Sequence, residues 1–156
     1  MHRKHRARGF TLVELMVVLS VLAILLAMAT PSMTQLVATQ RVRSMASDLH
    51  VALVRARSEA VKRNASVTIV PAGGNWSAGW SVKDAANPEA PPLHVYAPAR
   101  GVSIATDVAQ IVFTASGRTP LAAEATFLVS SAGSSLARCV RVNFTGRPYV
   151  KERSQC

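Results

Sequence analysis

The chain predicts an α+β protein, with one long N-terminal helix packed on a C-terminal antiparallel β-sheet domain. Three observations predict it. Residues 15–29 read LMVVLSVLAILLAMA, with Ser20 the one polar side chain. Beyond residue 32, apolar residues recur mostly at three- and four-residue steps. After Asn64 the pattern turns to short β-type runs punctuated by glycine, proline and asparagine. The 156 residues suffice for one small domain plus an anchor. They divide into a basic leader (1–9), an apolar helix (10–30), its amphipathic continuation (31–63) and a β-rich globular domain (64–156).

The apolar helix comes first. Counted from Phe10 it spans a bilayer, since about 20 helical residues cover about 30 Å. Pro31 then removes one helical hydrogen bond and should kink the rod. The amphipathic half offers Met33, Leu36, Val37, Val42, Met45, Leu49, Ala52, Leu53, Ala56 and Ala60 to a core. Its opposite face carries Gln35, Arg41, Ser44, Asp48, Arg55, Glu59 and Lys62, with Glu59 and Arg63 spaced for an ion pair. A continuous helix over 10–63 would measure about 80 Å. Strands are expected over 66–70, 79–83, 93–97, 102–105, 110–114, 125–130 and 138–144. Residues 71–75 read as a turn and the proline-rich 87–92 as a loop. Trp76 and Trp80 read as core anchors of a hairpin, their N–H groups satisfied nearby.

One carboxylate interrupts the greasy run. An ionised side chain at a bilayer centre costs about 3 kcal/mol on insertion scales, so Glu14 needs a reason to be there. A positive amine, freed by cleavage after Gly9, is a natural partner. Of the net charge of +10, four cations (Arg3, Lys4, Arg6, Arg8) lie in the leader. Cleavage would leave 14 basic residues against 8 acidic, a net of +6. The leader's charges hold the N-terminus in the cytoplasm and send the rest outward. A plain secretory signal is the rival reading, with Ala27-Met28-Ala29 as its cleavage site and a soluble domain as its product. Glu14 inside the segment, and a helical pattern that continues past Ala29, argue against it.

Arg8-Gly9-Phe10-Thr11-Leu12-Val13-Glu14-Leu15 followed by an apolar helix resembles the class III signal of type IV prepilins and type II secretion pseudopilins. The resemblance implies a type IV pilin-like fold. It implies a prepilin peptidase that cuts between Gly9 and Phe10 and N-methylates Phe10. It also implies that Glu14 meets the terminal amine of a neighbouring subunit in a helical filament, where low dielectric strengthens the pair. Ala56-Arg57-Ser58-Glu59-Ala60, the Trp76-Ser77-Ala78-Gly79-Trp80 core and the late Gly146-Arg147 resemble the GspH/FimT branch of this group. The partners implied are other pilins or pseudopilins, the peptidase and the inner-membrane assembly machinery. The implied location is the bacterial inner membrane, single-pass, with the globular domain in the periplasm. Pilus and secretion pseudopilus share these features.

An oxidising periplasm favours a Cys139–Cys156 disulfide, which would close 18 residues and contribute about 3 kcal/mol in the chain-entropy account. Two free buried thiols are the alternative. No nucleophile motif, phosphate loop or metal-ligand spacing is present, so the expectation is a non-enzymatic protein without cofactor or metal. The tail is basic: Arg138, Arg141, Arg147, Lys151 and Arg153 face only Glu152, with Tyr149 between them. Clustered cations with an aromatic suit a nucleic-acid backbone. FimT-like proteins of some competent bacteria take up DNA through a Gly-Arg-x-Arg loop, and here Tyr149 stands where the second arginine would be. Arg141, Arg147, Tyr149, Lys151 and Arg153 are thus candidate DNA contacts, against the alternative of a solvated or subunit-facing basic surface.

Overall fold

The computed structural model describes residues 10–98 and 100–156, and the side chains of these except 28–32 and 155. The chain forms two compact units, 1–34 and 35–156. One α-helix, α1 (Leu12–Arg63), contributes to both, its helical backbone continuing through Pro31.

In the first unit, Thr11 caps α1. The Glu14 N–H donates to Thr11 Oγ1 (3.2 Å) and the Leu15 N–H to the Thr11 carbonyl (3.1 Å). The Thr-x-x-Glu spacing is that of a capping box, and an acid in the first turn suits the positive end of the helix dipole. Ser20 Oγ donates to the Met16 carbonyl at 2.8 Å, so the lone polar side chain is satisfied within its own helix. Among the described residues no helix is long and apolar enough to cross a membrane.

In the second unit, α1 presents a stripe of small and medium side chains: Val42, Met45, Ala46, Leu49, Leu53 and Ala56 are all buried. The stripe begins at Ala38, later than the sequence suggests; Met33, Leu36 and Val37 remain exposed. The helix stops at Asn64, which adopts φ 50°. The Asn64 N–H donates to the Val61 carbonyl and the Ala65 N–H to the Ala60 carbonyl, both at 3.2 Å. That pair of bonds is a Schellman motif, with asparagine in the left-handed position.

Two four-stranded antiparallel sheets follow. The first has the order β3-β2-β1-β5 (β1 Val67–Ala72, β2 Asn75–Asp84, β3 His94–Tyr96, β5 Ile111–Phe113). The second has the order β4-β6-β7-β8 (β4 Ser103–Ala105, β6 Ala125–Ser130, β7 Arg138–Val142, β8 Pro148–Glu152). Ser77 Oγ links the sheets by accepting the Ile104 N–H at 2.8 Å. Ile69, Trp80, Ile111, Phe113, Phe127 and Val140 join the helical stripe in one core. The burial of β6 alternates strictly, as a half-buried strand should.

Three expectations need correction. β2 is ten residues long and begins at Asn75, so the turn narrows to Gly73-Gly74 and both tryptophans lie within one irregular strand. Trp76 Nε1 donates to the Val108 carbonyl (2.8 Å), but the buried Trp80 Nε1 has no hydrogen-bond partner among the described residues; its ring instead stacks on Tyr96 (centroids 5.6 Å apart). The tail beyond Gly146 is a strand, β8, followed by a short 3-10 turn (Arg153–Gln155), because Pro148 can occupy a sheet edge without leaving a ladder bond unmade.

Candidate functional site

Two regions were marked by the sequence. The first is the N-terminus. Gly9 lies outside the described residues. Phe10 is 76% exposed, and the Glu14 side chain is exposed, with no ion pair inside the chain among the described residues. From Leu12 to Leu26 the large apolar side chains are about half exposed or more. A contiguous apolar surface of that extent marks an interaction site rather than a solvated one.

The second region is the outer face of β7 and β8. Cross-strand pairing sets Arg141 opposite Tyr149 and Cys139 opposite Lys151. Arg141 and Lys151 flank the Tyr149 ring, at 5.9 and 5.7 Å from its centroid. Glu124, just before β6, completes the group. It accepts the Tyr149 hydroxyl through both carboxylate oxygens (3.0 Å each) and forms an ion pair with Arg141. Burial, then the hydrogen bond to Glu124, push the Tyr149 phenol above its usual value, and Arg141 opposes them. Arg138 pairs with Glu152 at 3.7 Å. Of the tail cations, Arg147, Lys151 and Arg153 remain exposed without a carboxylate partner among the described residues.

Cys139 and Cys156 are joined by a disulfide, with Cα atoms 5.6 Å apart. It ties the end of the chain to buried β7. Among the described residues no group of three His, Cys, Asp or Glu side chains is arranged to hold a metal ion.

The structure thus brings Arg141, Tyr149 and Lys151 together and leaves Arg147 on the adjoining turn. Sequence reasoning missed Glu124, which looks isolated along the chain and meets the tail only through sheet pairing. It also gave Arg57 no role. The alternation of Pro148 and Val150 with Tyr149 and Lys151 was the available signal for β8.

Residues 4–30 match the prokaryotic N-terminal methylation motif, and residues 45–146 match the family described as type II transport protein GspH. The chain belongs to the GspH family. This GspH-family protein is of the minor pilin and pseudopilin class. Its structure is similar to that of the type IV minor pilin FimU of Pseudomonas aeruginosa PAO1 in two crystal forms. Both are 26% identical in sequence, with TM-scores of 0.65 and 0.63. The likeness covers 74% and 72% of this chain and 91% and 94% of FimU. No curated protein matches in sequence. The family match ends at Gly146, so β8 and Cys156 lie beyond it.

Proposed function

We propose that this protein is a minor pilin, cut after Gly9, N-methylated on Phe10 and built into a type IV pilus from the inner membrane. The observation that carries the reading is the uncovered apolar surface of α1 headed by Glu14, a carboxylate with no ion pair in its own chain among the described residues. An apolar helix needs lipid or other helices around it, and a lone acid at its mouth needs a cation. A neighbour's Phe10 amine supplies that cation, and its helix supplies the cover. The similarity to FimU favours the pilus over a secretion pseudopilus. The globular domain then lies in the periplasm, where the Cys139–Cys156 bond is stable.

Mass spectrometry of the protein from its own cells tests this. A mature chain starting at methylated Phe10 and recovered in sheared pili is expected. A start at Thr30 would mean a secreted domain. A chain starting at Phe10 that is absent from pili, in cells whose protein export depends on it, would move it to the secretion system.

A second reading, pilus-borne capture of DNA, is favoured by one observation: the three unneutralised cations Arg147, Lys151 and Arg153 at the β8 end of the domain. Arg141 and Tyr149 contribute less than their spacing suggested, because Glu124 engages both.

A further inference from the structure

Phe144 is the exposed aromatic of the sheet domain. It is 57% exposed, whereas the other described aromatics of the 35–156 unit are buried or half-buried. The loop that carries it is firmly held. Residues 144–146 form a three-residue hairpin connection that closes on Gly146 in the left-handed conformation (φ +76°). The Gly146 N–H donates to the Asn143 carbonyl (2.9 Å), and Asn143 Oδ1 accepts the Arg147 N–H (2.9 Å) and the Thr145 hydroxyl (2.6 Å). From outside the loop, the Thr119 hydroxyl and Arg57 hold the Asn143 and Thr145 carbonyls (3.3 and 3.4 Å). An aromatic presented in this way loses little conformational freedom when a partner buries it.

Two cations frame the ring's loop. Arg147 ends it, and the Arg118 Cα lies 3.2 Å from where a Gly146 Cβ would stand. Both arginines are exposed, and neither has an ion pair among the described residues. Aromatic and arginine side chains are enriched at protein interfaces, and a few such anchors carry most of the binding energy. This chain does not offer the complement itself. Its acid-bearing cleft of about 330 Å³ beside Val108 and Leu121 commits Glu124 to Arg141 and Tyr149, which leaves Asp107 to face two arginines. The class also assembles with other pilins, and a minor subunit is outnumbered by them.

We propose that Phe144 inserts into an apolar socket on a pilin of a different kind, with Arg118 and Arg147 against carboxylates on the socket's rim. The proposal rests on the filament reading above and names one subunit contact within it.

The full-length chain, with photoreactive p-benzoylphenylalanine in place of Phe144, is expressed in its own cells instead of the wild-type copy and irradiated. The same replacement of Val95, a side chain 70% exposed on the other sheet, is the control. Mass spectrometry of the adducts is expected to find peptides of a different pilin at position 144 and not at position 95. Arg118→Glu with Arg147→Glu lowers that adduct roughly tenfold, and lysine in place of the mapped rim carboxylate of the partner restores it. Phe144→Ala lowers incorporation into sheared pili by a similar factor while the Cys139–Cys156 disulfide still forms. An adduct to a second copy of this chain, to nucleic acid, or to nothing beyond the Val95 control overturns the proposal. So does a yield indifferent to the two arginines. The N-terminus of the same preparation is read separately. Methylated Phe10 in sheared pili without the adduct leaves the filament reading standing and sinks the contact; the adduct on chains absent from pili does the reverse.

Discussion

Arg57 Nε donates to the Gly117 carbonyl at 2.9 Å, and through that bond the helix holds a turn of the sheet domain. The second arm of the same guanidinium reaches the Thr145 carbonyl at 3.4 Å. The two turns also touch each other. Gly146 has φ +76°, and a Cβ there would run into the Gly117 carbonyl. One arginine and two glycines therefore lock α1, the turn after β5 and the turn between β7 and β8.

Loss of that lock should be costly. Arg57→Ala leaves two carbonyls without their charged donor and is expected to destabilise the 35–156 unit by about 2 kcal/mol. Arg57→Lys should recover less than half of this, because an ammonium cannot reproduce the planar fork. Gly146→Ala combines backbone strain with a collision and should cost about 3 kcal/mol. Urea unfolding of the three variants measures each, and an Arg57→Ala midpoint equal to wild type would refute the lock.

Tyr149 predicts a pH dependence. Its phenol is held above the ordinary value of 10.0, chiefly by burial and then by the hydrogen bond to Glu124. The fold therefore favours the protonated form. That stabilisation is complete below pH 10.0 and is lost as pH rises through the raised folded-state value. Tyr149→Phe removes the titrating group, so its unfolding free energy should fall less steeply above pH 10.0 than that of wild type. Parallel alkaline profiles in the two proteins would show that Tyr149 is not the source.

Much of this architecture was legible along the chain. The period of three and four residues located α1, and β6 was bounded correctly because alanine, phenylalanine and valine alternate there with threonine, leucine and serine. What could not be read was long-range pairing. Glu124 lies 17 residues before Arg141 and 25 before Tyr149, and only the β6-β7-β8 order brings them together. β8 was obscured because proline at its head and charges along its length are ordinary loop signals, yet both suit an edge strand. The Gly146-Arg147 pair, which resembles a DNA-contact motif, has a packing reason for its glycine that sequence cannot display.

The same pairing reshapes the DNA expectation. Five tail cations would give log K falling with log salt at a slope of about −4. With Arg138 and Arg141 matched to Glu152 and Glu124, three remain, and the slope expected is about −3. Arg147→Ala, Lys151→Ala and Arg153→Ala together should abolish binding of duplex DNA by the 35–156 unit. Arg141→Ala should barely alter the slope. Salt titrations by fluorescence anisotropy separate these outcomes, and an unbound wild type at low salt would end the DNA reading.

Glu14 carries two distinct roles that one substitution can separate. Its place three residues after Thr11, whose hydroxyl accepts the Glu14 N–H at 3.2 Å, suits a capping box. Glutamine fills that position as well as glutamate does, since its amide can also reach back to the cap, but it carries no charge. A cap alone therefore survives Glu14→Gln, whereas a charge pair with a neighbour's amine does not. In the bilayer, an unpaired glutamate costs about 3 kcal/mol relative to a neutral residue, so glutamine should insert at least as well. The expectation is normal membrane insertion and processing at Phe10 for both Glu14→Gln and Glu14→Ala, with incorporation into sheared pili reduced at least tenfold in each, a factor that about 1.4 kcal/mol of lost pairing supplies. Glutamine that assembles normally while alanine fails would assign the residue to the helix cap and remove the charge pair from the assembly step.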